Sequence, residues 1–133
     1  MSAKCPQKGP TKVSVELRWH EPGKTLACTY SGKVTPEDLT GPLEKIRKHF
    51  DDSTSPLNVI VDWRQATDYP FFADFMFHGL KLIRHKNMGW IVLIGEDRTL
   101  KLWVDLFANI SNFRYKIVST FEEASEFLRT AVI

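Results

Sequence analysis

Cysteine is nearly missing from the sequence: among 133 residues only Cys5 and Cys28 carry a thiol, one in a polar, proline-containing stretch and the other in a strand-like run. That rules out a disulfide framework and a Cys-x-x-Cys metal or redox motif, so both are read as free thiols. An excess of charge of one sign is missing too. The 18 basic and 16 acidic side chains are interleaved and leave a net charge of +2, with no basic block to follow a phosphate backbone, so nucleic acid is not an expected partner. No apolar run approaches the ~18 residues of a membrane span, and MSAKCPQKGPTK at the start lacks the continuous apolar core of a signal peptide. No membrane span is expected, and the expected compartment is the cytoplasm. Gly-x-Gly-x-x-Gly, the Walker loop and Gly-x-Ser-x-Gly are all absent, which argues against nucleotide and acyl-transfer enzymes and leaves no cofactor to expect.

What is present is a patterned apolar content, 43% of residues, with 26% charged, as in a folded globular domain. Residues 1–11 read as a flexible tail around Pro6, Gly9 and Pro10, and residues 12–133 as one domain. In VSVELRW the apolar Val13, Val15, Leu17 and Trp19 alternate with polar residues, which predicts a strand with one buried face. Pro22 and Gly23 make a turn, and Leu26, Cys28 and Tyr30 share one face of a second, antiparallel strand. TPEDL opens a helix over about 36–50, with Thr35 as cap, Pro36 in the first turn and a stripe of Leu39, Leu43, Ile46 and Phe50. The unbroken apolar runs LNVIVDW and GWIVLIG read as central strands covered on both faces, as in a parallel sheet. Between them Phe72, Phe75, Met76, Leu80 and Ile83 recur at helical spacing, predicting a helix over about 71–86 whose last turns hold the basic KLIRHK. Leu100, Trp103, Phe107 and Ile110 predict a further helix. Tyr115 to Ser119 reads as a short strand, and STFEEASEFLRTAV as a closing helix with Ala124, Phe127, Leu128 and Ala131 inward.

The predicted order is β-β-α-β-α-β-α-β-α: an α/β domain with a mostly parallel sheet and an N-terminal antiparallel hairpin. This order, with the strand ending in Asp in LNVIVDWR, the aromatic-rich FFADFMFHGLKLIRHK, the strand ending near Gly in GWIVLIGED and the closing FEEASEFLRTA, resembles the STAS superfamily. That superfamily includes the anti-sigma-factor antagonists and single-domain STAS-like bacterial proteins. The resemblance covers Val13 to Val132 and implies a non-enzymatic binding or regulatory module, in some members switched by phosphorylation of a loop resembling Asp-Ser-Ser-Gly. Here Asp62 is followed by Trp63, Arg64, Gln65, Ala66 and Thr67, with neither serine nor glycine. Thr67 is therefore the hydroxyl left as a phosphorylation candidate. STAS-like proteins also resemble in outline the CRAL-TRIO lipid carriers, which implies a small apolar or amphipathic ligand as an alternative.

In an open α/β sheet, ligands gather beyond the carboxyl ends of the parallel strands. That rim is predicted to carry Asp62, Arg64, Thr67 and Asp68 from one strand exit, and Glu96, Asp97 and Arg98 from the other. Asp62 and Arg64, two apart on a strand, point to one side and can pair, with Asp62 also accepting from backbone amides at the start of the next helix. The crowd of Phe71, Phe72, Phe75, Met76 and Phe77 is either a generous core, a homodimer or protein-partner surface, or the wall of an apolar pocket. Metal is not expected, because His78 and His85, on one face of the predicted helix, stand ~10 Å apart along it. An enzyme pairing Asp62 with Asp97 is the least favoured reading.

Overall fold

The structure, a computed structural model, describes residues 15–68, 79, 82, 84–95, 101, 102, 105, 106, 109 and 113–131. Two strands come first, β1 (Val15–Glu21) and β2 (Thr25–Lys33), followed by α1 (Pro36–Asp52), β3 (Leu57–Asp68), β4 (Met88–Ile94), β5 (Tyr115–Val118) and α2 (Phe121–Thr130). Gly79 and Leu82 are helical between β3 and β4, and Lys101, Leu102, Asp105, Leu106 and Asn109 are helical between β4 and β5, in keeping with the predicted alternation. The predicted stripe residues Leu80, Ile83, Leu100, Trp103, Phe107 and Ile110 lie outside the described residues, as does the tail.

The five strands form one sheet in the order β1-β2-β3-β4-β5. β1 runs antiparallel to β2, and every other pairing is parallel. The hairpin turns as its sequence predicts: Lys24 N–H donates to the Glu21 carbonyl (2.9 Å), with Pro22 first in the turn and Gly23 at φ +76° second. The register aligns Cys28, Val61, Leu93 and Ile117 across β2 to β5, and Ala27, Ile60, Val92 and Lys116 in the next row, so alternate residues serve opposite faces. One face, with Leu26, Cys28, Tyr30, Val59, Val61, Trp63 and Leu93, packs against Ile46 and Phe50 of α1 and against Leu82. The other, with Ala27, Ile60, Val92, Ile94 and Val118, packs against Ala124, Phe121, Phe127 and Leu128 of α2. This is why Val59, Ile60 and Val61, and again Val92, Leu93 and Ile94, are apolar without alternation.

α1 starts at the predicted capping box: Asp38 N–H donates to Thr35 Oγ1 (3.1 Å) and Thr35 N–H to Asp38 Oδ2 (2.9 Å). α2 is capped by Thr120 Oγ1, which accepts from Glu123 N–H (3.1 Å), while Glu123 Oε1 reaches one residue further back to Ser119 N–H (2.8 Å). Gly89 has a packing reason. A Cβ there would stand 2.5 Å from Asn58 Oδ1 and 2.8 Å from the Leu57 carbonyl oxygen, and Asn58 Oδ1 holds that place because it accepts from Trp90 N–H (2.8 Å).

Three expectations are corrected. Trp19 is 36% exposed rather than buried, since it lies on the outermost strand with its ring edge-on to His49 of α1. Arg84, His85 and Lys86 sit in the turn that leads to β4 and not in a helix. The strand predicted to end at Trp63 continues as β3 to Asp68, because β2 runs on to Lys33 and offers its backbone as a partner.

Candidate functional site at the carboxyl rim

The continuation of β3 relocates the predicted site. Asp62, Arg64 and Thr67 lie within the strand rather than in a loop at its exit, and Asp68 is its last residue. Pairing with β2 is in register up to Thr29 with Asp62, then resumes at Ser31 with Gln65, so β3 carries one extra residue at Trp63-Arg64. A second extra residue falls before Asp68, which pairs with Lys33. Such bulges interrupt the ladder and turn side chains toward new directions.

Asp62 resolves the first interruption. Its side chain is 5% exposed, and Oδ1 accepts from the backbone N–H of Arg64 (3.0 Å) and from Arg64 Nε (3.0 Å), while Oδ2 accepts from Arg64 Nη2 (2.8 Å). The two-pronged geometry is the strong form of a charge-assisted bond, and it supplies the buried carboxylate with its counter-charge. Arg64 in turn is held charged by the Asp62 hydrogen bond, with Glu122 adding to the field. Trp63, on the opposite face, is buried and stacked on Tyr30 with centroids 4.4 Å apart and planes 8° from parallel. The bulge is thus fixed on both faces.

β4 pairs with β3 only as far as Asp62 with Ile94, so beyond that row β3 has no strand partner on its β4 side among the described residues. Arg64, Gln65 and Thr67 are exposed along this ledge. α1 and α2 both begin at this end of the sheet, bringing Glu37, Asp38, Glu122 and Glu123 in their first turns. Carboxylates there favour helix N-termini. Glu122 was not anticipated as a neighbour of Arg64, although the acidic opening of FEEASEF was visible. Phe71, Phe72, Phe75, Met76, Glu96, Asp97 and Arg98 lie outside the described residues.

An apolar cavity of about 60 Å³ lies between the sheet and α1, lined by Cys28, Phe50, Val59 and Leu82 among others. This is room for a water or two, against the roughly 300 to 1,000 Å³ usual for a small-molecule site. Behind it, Asn87 donates through Nδ2 to the carbonyls of Phe50 (2.8 Å) and Ser53 (2.9 Å), and His85 Nε2 meets Asp51 Oδ1 (2.8 Å). His85 Nδ1 accepts from Asn87 N–H (3.0 Å), which leaves the ring proton on Nε2, directed at Asp51. Both interactions fasten the turn before β4 to the end of α1. Among the described residues, no three His, Cys, Asp or Glu side chains gather to hold a metal ion, and no helix is long and apolar enough to cross a membrane.

No family model matches the sequence, and no curated protein matches it. Solved structures do. An uncharacterised protein of the DUF3478 family with a SpoIIAA-like fold, from Shewanella loihica PV-4, superposes with a TM-score of 0.66 at 16% identity, over 96% of this chain and 98% of its own. The anti-sigma factor antagonist SpoIIAA in its unphosphorylated form superposes with a TM-score of 0.67 at 16% identity, over 88% of this chain and 99% of its own. At that identity the likeness is one of fold, and it agrees with the element order and with the sheet of mixed direction covered on both faces. The chain has a SpoIIAA-like fold.

Proposed function

We propose that this chain is a non-catalytic binding module that engages a protein partner along the β3 ledge from Arg64 to Thr67. One observation carries the reading: β3 extends past its β4 pairing as an exposed, bulged strand, fixed in shape by Asp62 beneath and Trp63 behind. A ledge held this way is preorganised, which lowers the ordering cost of association. Both Asp62 oxygens accept hydrogen bonds from Arg64, which commits the side chain to holding the bulge and favours recognition over catalysis. The solved antagonist is named for its action on another protein, and the shared fold supports the same broad class of action here.

A photo-crosslinking residue introduced at Gln65 or Thr67 tests this in cells. The expected result is one discrete adduct from each position and none from Arg129, in the last turn of α2. Equal labelling from Arg129, or no adduct from either ledge position, would refute it.

A further inference from the structure

We infer that the free edge of β1 pairs with β1 of a second copy of this chain, antiparallel, about a two-fold axis at Leu17. This concerns the opposite margin of the sheet from β5 and does not depend on the ledge. β1 is an outermost strand and, among the described residues, pairs with β2 alone. An unpaired strand edge is a template for another strand.

The geometry of the edge selects the occupant. A two-fold axis normal to the sheet keeps each face on its own side, so opposed residues must come from the same face and their numbers must sum to an even value. Centred on Leu17, the register opposes Val15 to Trp19, Glu16 to Arg18, and Leu17 to itself. Both charge pairs are then complementary and every other pair is apolar. Centring on Glu16 or Arg18 sets like charges against each other, which disfavours those registers. β1 pairs regularly with β2 from Val15 to Trp19 and is irregular after Trp19, so Leu17 is also the midpoint of the regular stretch.

The side chains are in keeping with such a partner. Val15 and Leu17 are only half-buried, and Trp19 is 36% exposed. Glu16 and Arg18 are exposed on one face, and neither has an ion-pair partner among the described residues; the Arg18 guanidinium lies over the Phe121 ring, 5.3 Å from its centroid. In the paired copy each guanidinium would gain a carboxylate directly opposite. A five-residue strand pair falls at the small end of specific interfaces, below about 1,200 Å², so the association is expected to be concentration dependent.

Sedimentation velocity across about a hundredfold dilution series is the test. The wild-type mass is expected to climb from monomer toward dimer. Glu16→Arg or Arg18→Glu alone should weaken association by about tenfold or more, and the double exchange E16R/R18E should bring it back to within about threefold of wild type. Both positions are exposed, and circular dichroism checks that each variant folds. Hydrogen exchange on the unaltered protein gives a second reading: Val15–Trp19 amides should slow as concentration rises. A wild type that stays monomeric, single variants without effect, a double exchange without rescue, or protection independent of concentration each overturns the inference. None of these outcomes alters the crosslinking expected from Gln65 and Thr67.

Discussion

Cys28 faces the apolar side of the sheet between Tyr30 and α1, and burial pushes its thiol up to about 12, with a Tyr30 hydrogen bond opposing part of the rise. Tyr30 is itself pushed far above the usual phenol range, first by burial and then by its thiol neighbour. In both groups the fold favours the neutral form. The stability this represents is complete below the unfolded value of 9.0 for Cys28 and is lost as pH rises from there toward about 12. Two outcomes are expected. In a Cys5→Ser background, Cys28 should resist a thiol reagent at mildly alkaline pH until denaturant is added, because only thiolate reacts and the folded chain suppresses it. Cys28→Ala should flatten the alkaline limb of the urea-midpoint curve relative to the parent. Rapid labelling of the native protein would show instead that the β2–α1 packing opens readily. The strand-like run already set Cys28 beside Leu26 and Tyr30 on one face; what it could not announce is the cover of Ile46 and Phe50 from α1, which buries that face.

The two ends of α1 differ in how far a sequence can announce them. Its start was legible, because Thr35 and Asp38 are three residues apart and bond only to each other's backbone. Its end was read near Phe50, but not what secures it, because the side chain that donates to the Phe50 and Ser53 carbonyls is Asn87, from beyond β3 in the sequence. The same non-local rule hid the length of β3: Gln65 and Ala66 are strand only because Ser31 and Gly32 lie alongside, and nothing in QAT itself says so. The Asp62 and Arg64 pair was legible in its chemistry, from spacing alone, and misplaced in its setting. Asn87 therefore offers an element-scale test. It is 7% exposed, so Asn87→Ala removes one buried and one part-buried hydrogen bond and is expected to cost about 2 to 3 kcal/mol in urea unfolding. Asn87→Asp should cost more, since it sets a carboxylate against the same two oxygens. Faster exchange at Ser53 N–H, which donates to the Phe50 carbonyl, should accompany both. A neutral Asn87→Ala would mean that the Asp51 and His85 contact holds this corner unaided.

The molecule as a whole is one sheet with two unequal cores, and the inequality has a consequence for how it opens. Among the described residues, the α1 face buries thirteen side chains in its cluster, including Phe50, Trp63 and Tyr30, whereas the α2 face buries six, of which α2 itself supplies Ala124 alone. Phe121, Phe127 and Leu128 complete that contact while half-exposed. α2 is also joined to the sheet by a short link after β5, an outer strand of four residues, so its detachment leaves every strand pairing and the whole α1 face intact. Local opening follows such differences in buried apolar contact, and the least-packed peripheral element opens at the lowest free energy. Native-state hydrogen exchange with increasing denaturant should therefore resolve two groups of amides. Those of α2 should exchange through an opening several kcal/mol below global unfolding, while amides in β2, β3 and β4 should exchange only with the global transition. Because Trp90 meets Phe127 edge-on at 4.9 Å, Phe127→Ala should lower the α2 opening energy by about 1 to 3 kcal/mol while moving the β3 amides less. Coincident exchange of α2 and β3 would contradict this, and would mean that the α2 face is required for the sheet to persist at all.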